Sequence, residues 1–274
     1  IDVVHAHARI PGAICGYVCK KLKVHFVTTI HGIYRVNFLL KKITNWGERA
    51  LAVSEDIRQH AIKEYKLNPD NVRVTVNGIN LEKFKKQEVN ENLGFKVDKK
   101  RKKIIHISRL DKESSRVAEI LIDIADELEK EGADIIIVGS GNYIDELRRK
   151  AQCSKNIIFT GARTDVEKVL NIADAFVGVS RAALEAMATE LPVILAGNPD
   201  YAQGYQGIFN KKKLELAKST NFTCRGLEKI EKETLKNDIL KVLEEDVKTM
   251  GEYNRSVVKE YYSVEKMTSD ALEL

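Results

Sequence analysis

Proline, cysteine and tryptophan are scarce in this sequence: 4, 4 and 1 in 274 residues. Collagen-like chains and disulfide-stapled miniproteins are excluded on those counts. No apolar run reaches the roughly 18 residues that span a bilayer, and no signal-peptide core is visible, so an integral membrane protein is not expected. Excess charge is also small. The 45 Lys and Arg against 40 Asp and Glu leave +5, which favours anionic ligands slightly and is too little to argue for nucleic acid. Apolar residues, by contrast, make up 43% of the chain beside 31% charged, enough to bury a core. The length suits two ordinary domains or one large one.

Cys15 and Cys19 are one helical turn apart, but no Cys-x-x-Cys pair or paired histidines accompany them, so reduced thiols of a cytosolic protein are expected at Cys15, Cys19, Cys153 and Cys224. Short β-branched runs alternate with helical segments along the chain. Strands are predicted at Asp2–Ala6, His25–Ile30, Ala50–Val53, Val72–Val76, Ile104–Ser108, Asp134–Val138, Asn156–Thr160, Ala175–Val179 and Pro192–Ala196. Most lack in/out alternation, as strands of a parallel sheet covered on both faces do.

Between them, Val117, Ile120, Leu121, Ile124, Ala125 and Leu128 predict one helix over Ser114–Glu131. Ser54 is expected to cap a helix to Tyr65, and Thr164 with Glu167 has capping-box spacing. The end of the chain reads as helix over Leu227–Met250 and again from Glu252. This order predicts a doubly wound α/β fold with right-handed crossovers. The basic run Lys96–Lys103 reads as a solvated linker, since no nucleic-acid motif or interleaved aromatics accompany it. Asn198–Asn210 is expected as a surface loop or a lid.

In open α/β sheets ligands bind beyond the carboxyl ends of strands, often on helix N-termini. The residues following each strand are therefore the candidates. They are His31-Gly32, Arg109, Gly139-Ser140-Gly141, Gly161, and the strand-to-helix passage Ser180-Arg181-Ala182 with Glu185 one turn in. Each alone has a plain structural explanation: a satisfied histidine, an exposed ion pair, a tight turn, a surface carboxylate.

Taken in order, these segments resemble the retaining nucleotide-sugar glycosyltransferases of the GT-B fold, family 4 or group 1 type. The resemblance rests on Thr28–Gly32, Ala52–Glu55, Val76–Asn80, Ser108–Leu110, Ile137–Gly141, Phe159–Gly161 and Leu184–Ala188 leading to Leu191-Pro192-Val193-Ile194. It implies two Rossmann-like domains with doubly wound parallel sheets facing a cleft, the N-terminal one incomplete. Residues 1–95 would form the acceptor-side domain and 96–250 the donor domain, with 251–274 a helix crossing back.

The implied reaction moves a sugar from a nucleoside-diphosphate sugar to an acceptor hydroxyl, with retention and without a metal or other cofactor. By the resemblance, His31 is catalytic and Gly32 beside it is a donor-binding residue, as is Lys112. Arg109 holds the diphosphate, Gly139 and Gly141 let the donor approach, Gly161 lies near the base, Glu185 binds the ribose hydroxyls, and Ser180, Arg181 and Ala182 offer helix N–H groups to phosphate. Saccharide or lipid-linked acceptors and a cytoplasmic site, including contact with the inner face of the membrane, go with that family.

Three departures stand out. The position of the family's first Glu is Val177, which alters sugar recognition. The Lys expected five residues after Arg109 is Ser114, with Lys112 nearby and Arg181 a candidate second cation on the diphosphate. The first N-terminal strands are missing, so a fragment or a chain completed by a partner is expected. A degenerate nucleotide-sugar-binding relic and a GT-B sugar-nucleotide epimerase are the competing readings.

Overall fold

A computed structural model describes residues 1–34, 36–89, 92–244 and 247–273. The chain divides into two compact units, Ile1–Gly78 with Lys218–Asn221 and Tyr262–Leu274, and Ile79–Ala217 with Phe222–Tyr261.

The first unit contains β1 (Val3–Ala6), α1 (Arg9–Leu22), β2 (His25–Ile30), α2 (Phe38–Ile43), β3 (Arg49–Ala52), α3 (Glu55–Tyr65) and β4 (Val72–Val74). Its four strands are parallel in the order β1-β2-β3-β4. Side chains alternate across a strand, so Phe26, Thr28 and Ile30 take one face of β2 and Val27, Thr29 and His31 the other. A core of Ile30, Trp46, Ala50, Ala52, Val53, Ile57, Ala61 and Val72 fills the first of these faces under α3.

The second unit contains β5 (Lys102–Ile107), α4 (Arg116–Asp123), α5 (Ala125–Lys130), β6 (Ala133–Val138), α6 (Ile144–Lys150), β7 (Ile157–Gly161), α7 (Val166–Leu170), β8 (Ala175–Gly178), α8 (Ser180–Ala188), β9 (Val193–Ala196), β10 (Tyr205–Ile208), α9 (Leu214–Ser219), α10 (Lys232–Glu244) and α11 (Lys248–Tyr261). The closing helix α12 (Val264–Leu272) falls within the first unit, where Asp270 accepts the Thr75 hydroxyl at 3.1 Å. The sheet runs β10-β9-β8-β5-β6-β7, parallel except for β10. Every residue of β6, Ala-Asp-Ile-Ile-Ile-Val, is buried, as two-sided cover by helices requires.

All nine expected strands form. Several local expectations do not. Tyr205–Ile208 is an antiparallel edge strand, so 198–210 is neither a plain loop nor a lid. The helix expected over Ser114–Glu131 starts at Arg116 and is interrupted at Ile124, whose φ of −104° and ψ of 3° separate α4 from α5. The break is one residue wide, so Val117, Ile120, Leu121, Ala125 and Leu128 still share the core.

Thr164 does not cap α7. The residue before that helix is Asp165, which makes no capping bond; its carboxylate is held bidentately by Arg163 at 2.8 and 2.6 Å. Ser54 sits at the Ncap of α3 but makes no capping bond; its hydroxyl donates to Asp56. Gly251, expected at a helix break, lies inside α11. A Cβ there would fall 2.1 Å from the Glu190 carbonyl oxygen, so the missing side chain lets α11 pack against the end of α8. The basic run is partly structural: Lys102 and Lys103 belong to β5, and Arg101 pairs with Asp134 at 2.5 Å. The four cysteines are free thiols.

Candidate functional site

The second unit places its candidates at one end of one sheet. From β5 the next strand, β6, lies on one side, and β8 on the other. That reversal is a topological switch point, where the loops leaving neighbouring strands part and open a crevice. Ser108-Arg109 leaves β5 there, and Val179-Ser180 leaves β8. Arg109 and Lys112 are both exposed, while Leu110 between them is fully buried and anchors the loop.

Ser114, at the position expected to carry a Lys, is buried. Its hydroxyl donates to the Arg109 carbonyl at 2.7 Å, and it receives the Asp111 N–H at 3.3 Å. The serine therefore shapes the turn that presents Arg109 and cannot act as a second cation.

The glycines after β6 have a backbone reason. Gly139 has φ +143°, and a Cβ on it would stand 1.9 Å from the Ser108 carbonyl oxygen. A Cβ on Gly141 would stand 2.3 Å from the Leu110 carbonyl carbon. The two loops are laced together by Ser108 N–H to Val138 O, Leu110 N–H to Ser140 O and Tyr143 N–H to Leu110 O, at 3.1, 3.0 and 2.9 Å. Gly139 N–H reaches Gly161 O at 2.9 Å, which ties in the end of β7. Gly161 itself has φ +74° with open space where a Cβ would lie.

At the start of α8, Ser180 adopts φ +60°, a left-handed conformation rare outside glycine. Its N–H is taken by the Phe222 carbonyl at 2.7 Å. The next N–H groups, of Arg181 and Ala182, belong to the first turn and have no intrahelical acceptor. Arg181 is exposed and its Nε donates to Glu185 Oε1 at 2.8 Å. Burial raises the Glu185 carboxyl above its usual range, and the Arg181 guanidinium opposes that. Val177 is fully buried in β8 and offers only its carbonyl, which accepts His106 Nδ1–H at 2.8 Å.

In the first unit, His31 follows β2, exposed, on the same face as Thr29. Gly32 beside it has neither a left-handed φ nor any atom within reach of a Cβ, so the local structure does not demand glycine there. His31 is not alone. His7 Nδ1 lies 3.2 Å from its Nε2, and the His5 ring stacks on His7 with centroids 4.3 Å apart.

Two family models match the chain. Glycosyltransferase Family 4 matches residues 1–83, and Glycosyl transferases group 1 matches residues 101–220. The chain is a GT-B glycosyltransferase of the family 4, group 1 type. N-acetyl-alpha-D-glucosaminyl L-malate synthase of Bacillus anthracis is 24% identical over 98% of this chain and 73% of its own length. The UDP-Gal:alpha-D-GlcNAc-diphosphoundecaprenol alpha-1,3-galactosyltransferase of Escherichia coli is 26% identical over 71% of this chain, which spans 57% of that protein. The structure of Anabaena HepE in complex with UDP superposes with a TM-score of 0.75 at 16% identity, over 99% of this chain and 78% of that one.

In this glycosyltransferase some residues at the site escaped the sequence reading. His106 is one: buried, donating to Val177 O, and accepting the Ser108 hydroxyl on Nε2 at 2.9 Å, it fixes the residue before Arg109. Its place inside an apolar strand was the only signal. Burial pushes its pKa down to about 4 from the usual 6.5. A histidine held neutral contributes stability that is complete above pH 6.5 and is lost as pH falls toward 4. At 1.36 kcal/mol per pH unit, the full loss is about 3 kcal/mol. Urea midpoints between pH 7 and 4 should fall less steeply in His106→Gln than in the wild type.

His5 and His7 also escaped. Their signal was present, since histidines two residues apart at the carboxyl end of a strand share one face. Among the described residues, no group of three or more His, Cys, Asp or Glu is placed to hold a metal ion, and no helix is long and apolar enough to cross a membrane.

Proposed function

We propose that this glycosyltransferase moves a sugar from a uridine-diphosphate sugar to an acceptor hydroxyl, with retention of anomeric configuration and without a divalent metal. The observation that carries the donor half is the switch point between β5 and β8. It presents an exposed guanidinium, Arg109, on a loop that buried groups hold in place, beside the open first turn of α8. A departing diphosphate needs fixed positive charge and N–H donors that are in place before the bond breaks. Arg109, Lys112 and the N–H groups of Arg181 and Ala182 are the groups to supply them. Glu185, one turn into α8, is the group for the ribose hydroxyls, and Gly161 leaves room for the base. Uridine is supported by the UDP bound in HepE.

His31, on the first unit, is the group for the acceptor side. Retention and metal independence follow the family pattern. The acceptors named for the two curated relatives, L-malate and a diphosphoundecaprenol-linked sugar, both carry negative charge. Saccharide and lipid-linked acceptors, the latter met at a membrane face, belong to the same reading. With Val177 buried in place of a carboxylate, the sugar is read by other groups.

The test is calorimetric titration of UDP, GDP and ADP, each with and without magnesium. The expected result is micromolar binding of UDP alone, with the same affinity in either buffer. Binding only with magnesium would overturn the metal-independent reading, and binding of GDP or ADP in preference would overturn the choice of base.

A further inference from the structure

One face of the first unit's sheet gathers three histidines at its carboxyl edge. His5 is the next-to-last residue of β1, His7 follows it two residues on, and His31 follows β2. The rings form a row, His5 to His7 at 4.3 Å and His7 to His31 at 5.5 Å between centroids. Hydrogen bonds fix the row: His5 Nε2 lies 2.8 Å from Thr29 Oγ1, His7 Nδ1 lies 3.2 Å from His31 Nε2, and His31 also bonds the Asn77 side chain. These groups line a cavity of about 250 Å³ with Thr75 and, from α12, Met267, Thr268 and Ala271. None of the three imidazoles is bonded to a carboxylate among the described residues.

That arrangement is costly unless something compensates it. Partial burial lowers the pKa of His5 and His31, and the neighbouring His7 ring lowers both further by repelling protons. The charged groups around them are already paired. Asp270 on α12 is bonded to Lys266 and Thr75, Arg73 of β4 lies 3.9 Å from Glu273, and the Arg9 guanidinium at the start of α1 lies 5.3 Å over the Tyr34 ring. Arg49 of β3 also has a partner and adds positive charge lower on the same face. Among the described residues, the cavity lining thus holds donors and latent positive charge and no carboxylate, Asp270 being turned to Lys266 and Thr75.

We propose that His5, His7 and His31, with the hydroxyl of Thr29, bind an anionic oxygen group, carboxylate or phosphate, of the acceptor. This rests on the glycosyl-transfer reading, in which His31 is the acceptor-side group. It deepens that reading by naming the acceptor class: a molecule whose reacting hydroxyl is close to its own negative charge. Anion binding and proton uptake are coupled here. The anion raises the histidine pKa values, so affinity strengthens as pH falls below neutral and fades as the rings lose their protons.

The test uses the full chain and two small probes, methyl phosphate and glycolate, titrated separately near pH 6 while the histidine ring resonances are followed by NMR. The expected result is a saturable shift of the His5, His7 and His31 signals by at least one probe in the millimolar range. The titration midpoints of His5 and His31 should rise by about one pH unit, and His7→Gln, at an exposed position, should abolish the effect. Which probe saturates first separates a phosphate-bearing acceptor from a carboxylate-bearing one. Shifts that never saturate, that are confined to His31, or that survive in His7→Gln would overturn the proposal. UDP titration of the same samples keeps the two readings apart. UDP binding without anion binding removes the anion subsite alone, and anion binding without UDP binding leaves the subsite standing and removes the donor reading.

Discussion

Arg109→Ala is expected to weaken UDP binding by about ten- to one-hundredfold without changing thermal stability. A guanidinium on a diphosphate makes charge-assisted hydrogen bonds, each contributing about 1.5–3 kcal/mol, and 1.4 kcal/mol is tenfold in affinity. Arg109 is exposed, and the groups that shape its loop are the buried Leu110 and Ser114, so removing the side chain leaves the fold alone. Arg109→Lys should recover part of the loss, because a lysine supplies the charge without the planar fork. Transfer rate should fall further than affinity if Arg109 stabilises the leaving diphosphate, since charge grows there as the bond breaks. Calorimetry and a transfer assay on the same variants separate the two. Wild-type affinity in Arg109→Ala would remove this residue from the site.

Arg181→Ala is the informative companion. Arg181 Nε is engaged with Glu185 at 2.8 Å. If Arg181 also shares the diphosphate, UDP affinity drops. If it only steadies Glu185, affinity at neutral pH holds while the pH profile of binding moves upward, because the cation opposing the buried carboxyl's raised pKa is gone.

The fold was legible because each strand is a short buried β-branched run, and two-sided burial erases the alternation that would have implied an exposed face. β10 was missed for a physical reason: as an edge strand with Gly207 inside it, Tyr205–Ile208 has neither the apolar density nor the β-branching of the others. The Thr164 capping box failed because a side chain's partner is chosen in three dimensions: Glu167 pairs with Lys83 at 3.4 Å instead. The switch-point residues were readable from their places after strands. What could not be read was the support beneath them. His106 and Leu110 act through hydrogen bonds and burial between segments far apart in sequence, Ser114 acts through a buried local turn, and Gly139 needs its φ and clearance because of Ser108, thirty-one positions away. The histidine row escaped for a different reason. Its members lie on two strands, and only the parallel register of β1 with β2 brings them side by side.

Gly139→Ala is expected to be the most damaging single change at the donor end. A Cβ 1.9 Å from the Ser108 carbonyl oxygen cannot be accommodated, and φ +143° is a backbone that L side chains rarely adopt. The obstructing atom is backbone, so no side chain can swing away. Relief requires the loop after β6 to separate from the loop after β5. That breaks the ladder of Ser108 N–H to Val138 O, Gly139 N–H to Gly161 O and Leu110 N–H to Ser140 O. Overpacking and backbone strain together cost about 3–5 kcal/mol, a fall in Tm on the order of 10 °C for a chain this size. UDP binding should fall as well, because Arg109 rides on the displaced loop. Gly161→Ala is the control. It shares the positive φ, at +74°, but meets no atom within 4 Å, so it should cost only about 1 kcal/mol. The contrast between the two separates clearance from conformation. If both variants melted alike, the close approach of the β5 and β6 loops would not be what fixes Arg109, and its position would have to be set by the buried turn around Ser114 instead.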